Sequence, residues 1–363
     1  GLLVSGLQIV ASYLVGYLFW FEITLGALGW LLLHHIVGGG WGFVLRRALE
    51  ATTRLLPLMA LLFVPVGLGM LFGVLYPWAR PGAAADPILA WRQPYLNPLF
   101  FLVRAALYFA AWIALATTLH RWGRRLDAEA DPVIVHRLNL LGAGGLVAYL
   151  LTASFASFDW IMSLDAHWYS SLFGLLAISG QALGSLAAML ALVAALAGDR
   201  PLLRDLPSAP VRDLGNLLLA TVLVWAYLSF SQYLILWSGN LVETIPWYRE
   251  RTRGGWDWIP VALVGFHFAL PFGVLMLGVA VKRSLVRLGP VAALLLVMRW
   301  VDLFWWVMPE LRARLMVLAS DLGAVLLIGG IWLWCWLREI ADRPIVPLHD
   351  PRLRAGWPEA DGA

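Results

Sequence analysis

Cysteine is almost missing from this chain: Cys335 is the only one among 363 residues. No disulfide can form within the chain. A thiolate-held iron–sulfur cluster takes about four cysteines and has no ligands here. No CxxCH motif for haem attachment occurs. Haem c and iron–sulfur clusters, if the protein works with them, belong to partners. Cys335 itself sits in the apolar run IWLWCWL and reads as an inert, packed thiol.

Lysine is equally scarce. Lys282 is the only one, so the net charge of +4 rests on arginine. The arginines fall in short segments and no long basic run exists, which excludes a nucleic-acid partner. Charge of either sign is thin: 13% of residues, against about 25% in a soluble domain. Residue Gly1 opens directly into apolar sequence, with no Met and no basic stretch before it, so it does not read as a signal peptide. The expectation is that the true N-terminus is missing and that residues 1–5 end an earlier helix.

Apolar residues fill the space that charge leaves. They make up 61% of the chain, and the mean hydropathy is +0.78. Long apolar runs, each sufficient for the roughly 20 residues of a membrane helix, lie near 9–36, 52–76, 98–119, 136–163, 170–197, 212–239, 258–281, 288–308 and 315–338. In lipid a segment must satisfy its backbone internally as a helix or pair within a closed barrel. The runs are continuous and lack the ten-residue alternation of a barrel strand. The fold class read from the sequence is therefore an all-α integral membrane protein of about nine to ten transmembrane helices. Residues 1–340 form one membrane domain, and 341–363 a polar, Pro-rich tail on the cytoplasmic side.

Charge in the connecting segments gives orientation. One side holds Arg46, Arg47, Arg54, Arg121, Arg124, Arg125, Arg137, Arg200, Arg204, Arg212, Lys282, Arg283, Arg287, Arg338, Arg343, Arg352 and Arg354. The other holds Arg80, Arg92, Arg249, Arg251, Arg253, Arg312 and Arg314. By the positive-inside rule the richer side is cytoplasmic. The C-terminus then ends inside. Tryptophans gather at the predicted borders (Trp78, Trp91, Trp160, Trp168, Trp247, Trp256, Trp258, Trp305, Trp306) and read as headgroup-level anchors. A quinone-stacking role for one or two is the alternative.

A weak internal repeat is visible. The fourth span ends Phe158-Asp159-Trp160 with Asp165 and Trp168 close behind; the eighth ends Trp300-Val301-Asp302 with Trp305, Trp306 and Glu310. Four spans separate them, and an even offset means parallel repeats. This predicts two like-oriented bundles, about 9–163 and 170–308, and a final helix near 315–338.

Ionisable residues inside spans are costly and usually face the bundle interior. Glu22 sits mid-span in the first run, Arg104 early in the third, Asp159 at the end of the fourth and His267 central in the seventh. Arg299 and Asp302 lie late in the eighth, three apart and so on one face. Asp321 lies early in the ninth. One reading is buried polar glue, with Arg299 paired to Asp302 or Asp321. The other is a proton path, with Glu22, His267, Arg299, Asp302, Asp321 and Glu243 its candidates. The histidines disagree in depth, which argues against an axial pair for membrane haem. His34-His35 reads as part of a helix end, and His120 and His136 as solvated loop residues. A second polar concentration, on the outer border of the fourth and fifth spans, joins Asp159, Trp160, Asp165, His167 and Trp168 as a candidate quinone or polar site. No residue set reads as catalytic or metal-binding.

Two stretches then become recognisable: Ser154 to Leu164 (SFASFDWIMSL) followed by His167-Trp168, and Leu223 to Leu241 (LVWAYLSFSQYLILWSGNL). With His34-His35, Gly39, Trp41-Gly42, Arg46-Arg47, FALPF at 268–272, Val346-Pro347-Leu348 and Asp350-Pro351, the chain resembles the F subunit of alternative complex III, the bacterial quinol:cytochrome c oxidoreductase. The likeness runs from about residue 12 to the C-terminus. It implies the polysulfide-reductase-like (NrfD-like) fold of two four-helix bundles in about ten spans. It implies partners: a multihaem cytochrome c subunit, an iron–sulfur subunit resembling molybdopterin enzymes, a sister NrfD-like membrane subunit and small membrane subunits in the same bilayer. It also implies quinone, menaquinol or ubiquinol, as the bound substrate, with proton movement or a second quinone site as this subunit's share. The chain departs from the family at Asp165-Ala166, where Glu-Pro is frequent, and at Val242-Glu243-Thr244, where Pro-Glu-Glu is. A secondary transporter and a purely structural anchor are the alternatives.

Overall fold

The computed structural model describes residues 2–128, 131–197, 206–242 and 244–341. The polar tail expected over 341–363 lies, from residue 342 on, outside them. Nine helical spans among the described residues are long and apolar enough to cross a membrane: α1 (Gly6–Val37), α2 (Gly40–Leu71), α3 (Pro98–Asp127), α4 (Pro132–Leu164), α5 (Phe173–Ala197), α6 (Ser208–Gly239), α7 (Trp258–Leu277), α8 (Leu285–Glu310) and α9 (Ala319–Ala341). The chain is an all-α, multi-pass membrane protein.

Local chemistry sets the helix ends. Asp131 caps α4, accepting from the Val133 N–H at 2.8 Å, with Pro132 in the first turn where no N–H is required. Asn97 accepts from the Phe100 N–H at 2.8 Å at the start of α3. Asn240, at φ 44°, turns the chain out of α6 in the left-handed conformation that asparagine tolerates. Pro57 and Pro65 open new turns within α2 and divide that span into three pieces.

Two boundaries differ from the sequence reading. Span α2 begins at Gly40 and not near 52, and α3 continues to Asp127, which makes His120 helical. The reason is shared. Arg46 and Arg47 bind Glu50 at 2.9 and 2.7 Å, and Arg47 also reaches Asp127 at 2.7 Å, so the charges that ended the hydropathy runs neutralise one another inside helices.

Spans α1 and α5 form the centre. Each is 78% buried over its most apolar window, against 28–56% for the other seven. A helix apolar all round must be enclosed by others. Span α1 packs on α2, α4, α5, α8 and α9, and α5 on α4, α6 and α8. The two centres touch closely because Gly26 has no side chain: a Cβ there would strike the Gln181 carbonyl. Such small-residue contacts let membrane helices approach. The outer faces of α6, α7 and α9 expose Tyr227, Phe230, Val264, Phe266, Leu326 and Leu327.

The border tryptophans are mostly not anchors. Trp91 and Trp258 are exposed, but Trp78, Trp160, Trp168, Trp247, Trp256 and Trp306 are buried. Trp160 lies inside an aromatic cluster with Phe21, Phe63, Phe109 and Trp112, its ring 4.6–6.1 Å from theirs. Position along a helix gives a ring's depth but not the side of the helix it occupies.

Candidate functional site

Four of the sequence-selected residues, Glu22, His267, Arg299 and Asp302, converge at one level of the bundle from three different spans. Arg299 on α8 is buried, and its Nε and Nη2 donate to Oε2 of Glu22 on α1 at 3.0 and 2.7 Å. Its Nη1 binds Oδ2 of Asp302, one turn along the same helix. The same Asp302 oxygen accepts the indole N–H of Trp225 on α6 at 2.9 Å. The Trp225 ring stacks on His267 of α7, with centroids 4.1 Å apart. The guanidinium also lies 4.6 Å from the Trp306 ring centre, a cation–π contact.

Space for this arrangement comes from α5. Arg299 crosses directly over Gly180, where any Cβ would overlap the guanidinium. His267 sits in the only π-helical stretch among the described residues, Leu263–Ala269, a widened turn of the kind that often marks a functional site. It is fully buried, and neither ring nitrogen has a hydrogen-bond partner among the described residues. Oε1 of Glu22 likewise has none.

A second cluster repeats part of this pattern. Asp159 on α4 receives Arg104 of α3 through two parallel bonds, 2.8 and 2.7 Å, and the Tyr108 hydroxyl at 3.0 Å. The two carboxylates matched by the repeat, Asp159 and Asp302, thus each hold one arginine and one aromatic donor. They differ in balance: Arg104 serves one carboxylate, whereas Arg299 serves two.

Other candidates fall elsewhere. Asp321 is saturated by Arg312 at 2.7 and 2.9 Å, by Ser12 at 2.5 Å and by the Leu318 N–H at 2.7 Å, and it stands apart from the central cluster. Asp165 and Trp168 line a cleft of about 250 Å³ with Trp91, Arg92, Tyr95 and Phe158. His167 is exposed beside it and shares a 2.7 Å hydrogen bond with Asp86, whose carboxyl is held below the usual carboxylate range first by that bond and then by the Ile88 N–H. Trp160 belongs to the aromatic core and Asp159 to the Arg104 cluster, so the five outer-border candidates do not form one site. Glu243 lies outside the described residues.

The sequence reading missed Arg251, which it counted only for orientation. This loop residue is fully buried and binds Glu310 at 2.8 Å and the carbonyls of Trp247 and Trp306 at 2.9 and 2.8 Å. It lies 3.5 Å from the Trp247 ring centre, and Trp247 stacks on Trp168 at 4.7 Å. No sequence signal separates such an arginine from a solvated one. It also missed Trp225 as the link between Asp302 and His267, although the WSGN-containing stretch was singled out.

Among the described residues no three His, Cys, Asp or Glu side chains are grouped as a metal site requires. What the central cluster offers is acid–base chemistry: two carboxyls, one fixed cation and an imidazole in a water-poor interior. No protein-family model matches the chain, and no curated protein matches it either.

Proposed function

We propose that the chain is a membrane subunit of a respiratory quinol:cytochrome c oxidoreductase, similar to the F subunit of alternative complex III. Its share is quinone binding, proton translocation or both, and it carries no redox centre of its own. The observation that supports this most is the Glu22–Arg299–Asp302 cluster beside an unbonded His267. A structural anchor needs no such groups mid-span, and each is costly to insert there. The sequence likeness at SFASFDWIMSL and LVWAYLSFSQYLILWSGNL supplies the rest of the reading.

The cleft at Asp165 fits a quinol headgroup. Its walls are aromatic and apolar, from Trp91, Tyr95, Phe158 and Trp168, and Asp165 provides an acceptor for a hydroxyl. At about 250 Å³ it is a little below the roughly 300–1,000 Å³ of small-molecule sites, room for a ring but not for a tail. A quinol supplies two electrons and two protons. The electrons pass to haem c and iron–sulfur clusters in the multihaem and molybdopterin-like partners; this chain's residues bind and move protons. The sister membrane subunit and the small subunits complete the assembly in the inner membrane, with this chain's C-terminus in the cytoplasm.

Purification in mild detergent through a C-terminal tag tests the reading. A strong c-haem band in the reduced-minus-oxidised spectrum, with larger co-purifying subunits, is expected. A haem-free single chain from intact membranes overturns it. That outcome favours a secondary transporter, the second reading, for which the interruptions of α2 at Pro57 and Pro65 and the π-helical turn of α7 speak.

A further inference from the structure

We infer that the Glu22–Arg299–Asp302 triad binds one exchangeable proton, shared between its two carboxyl groups, with Oε1 of Glu22 as its seat. Charge balance requires the proton. Arg299 brings one positive charge, and Glu22 and Asp302 two negative ones. Among the described residues no second arginine or lysine pairs with either carboxylate. All three side chains are buried among apolar helices, so a net negative charge there would be left without water or counterion. A proton removes it.

The oxygens that accept hydrogen bonds mark its seat. Both Arg299 bonds to Glu22 land on Oε2, and Oε1 has no partner. An ionised carboxylate has two equivalent acceptors, and leaving one bare in an apolar interior is costly. A carboxylic acid has one carbonyl-like oxygen, which here takes both N–H groups, and one hydroxyl, which here is Oε1. Asp302 is the better anion: it takes Arg299 Nη1 and the Trp225 N–H and, unlike Glu22, has no buried oxygen left without a partner among the described residues.

The surroundings do not supply a competing charge. From α4 and α5 come Tyr149 and Gln181, bonded to each other at 2.9 Å, and Ser185; from α7 comes His267, behind the Trp225 ring. Span α9 brings Trp332, uncharged, whose ring lies 5.0 Å from that of Trp20 on α1 and whose indole N–H donates to Thr24 at 2.8 Å. The other ionic groups along α1 are closed pairs at a distance. Asp321 with Arg312, at Ser12, lies ten residues away, about 15 Å along the helix, and on the other side Arg46 and Arg47 of α2 are neutralised by Glu50 and Asp127.

The site ties proton position to helix pairing. With the proton on Glu22, Arg299 is the counterion of Asp302 on its own helix. With the proton on Asp302, Arg299 is the counterion of an ionised Glu22, and α8 is bound to α1 by a full ion pair. The proton's presence stands on the triad alone; its use in translocation rests on the proposed function.

Infrared spectroscopy of the full chain in its native assembly tests this without any activity assay, so its failure is distinct from failure of the functional reading. Expected at neutral pH is one protonated-carboxyl C=O band that shifts down in D2O and again when glutamate carries carbon-13 at its carboxyl. Glu22→Gln removes the band. Asp302→Asn removes it too, because the remaining carboxylate then pairs one-to-one with Arg299 and ionises. A Glu22 that is neutral for packing reasons alone keeps the band in Asp302→Asn, and that result overturns the inference. So does a wild-type spectrum with no such band, or a band lost on adding sodium at constant pH, which makes the seat a cation site. A wild-type spectrum without the band, or one that loses it with sodium, overturns the inference even if both variants fail to fold.

Discussion

Arg299 on α8 reaches Glu22 on α1 by lying across the bare backbone of Gly180 on α5. One side chain thus joins three spans, and the glycine is as necessary to the pair as its charges. Gly180→Ala places a methyl group inside the guanidinium. Displacing Arg299 leaves the buried negative charge of Glu22 and Asp302 without its counterion, and breaking a buried pair in this way costs about 3–5 kcal/mol. Gly184→Ala, whose Cβ would lie 3.2 Å from the Arg299 Cγ, asks only for a small shift and is the control. Thermal aggregation of the two purified variants should show a large loss for Gly180→Ala and a small one for Gly184→Ala.

The Arg104–Asp159 pair makes a different prediction because its charges balance. Arg104→Met alone strands Asp159, and Asp159→Asn alone strands Arg104; each should destabilise by about 3–5 kcal/mol. The double variant removes both charges and should recover most of that loss. A double-mutant cycle on melting temperature reads the coupling. Additive losses would show that the two side chains are held by the Tyr95 carbonyl and Tyr108 and not by each other.

How much of this was open to reading depends on sequence separation. Span number was legible because lipid demands long apolar runs, and Arg299 with Asp302 was legible because three residues make one helix face. Glu22 and Arg299 stand 277 residues apart, and nothing local in either span announces the other. Charge also misled. Arg46 and Arg47 read as charges of a connecting segment, yet their pairing with Glu50 keeps them helical and buried. The tryptophans misled in the opposite way: border position suggested lipid headgroups, but Trp160 and Trp168 point inward. The outer-border candidates, grouped by sequence proximity, were divided by helix direction between the Arg104 cluster, the aromatic core and the cleft.

The contact between Asp86 and His167 gives a pH dependence whose sign follows from the lowered Asp86 carboxyl. A depressed value means that the contact stabilises the fold at pH above the unfolded aspartate value of about 3.9. The contribution disappears as pH falls through the still lower folded value. Asp86 also accepts the Ile88 N–H at 2.8 Å, so that amide reports the change. Hydrogen exchange at Ile88, corrected for intrinsic rates, should lose protection in this acid range. In Asp86→Asn it should show no such step.

Arg251 provides the last test, because it distinguishes a charge from a shape. Its guanidinium spreads over Glu310 and the Trp247 and Trp306 carbonyls while lying flat near the Trp247 ring. Lysine keeps the positive charge but offers neither the planar fork nor the stacking face, and the two are not interchangeable at such a site. If the charge on Glu310 were all that mattered, Arg251→Lys would be nearly silent. The geometry predicts instead a loss of about 1.5–3 kcal/mol for each charge-assisted bond that lysine cannot replace. The Trp247–Trp168 stack should loosen with it, since Arg251 covers one face of Trp247 and Trp168 the other contact in the same column. Thermal melting with tryptophan fluorescence reads both effects in one experiment. A melting curve and emission maximum unchanged by Arg251→Lys would show that this loop is held by Glu310 alone.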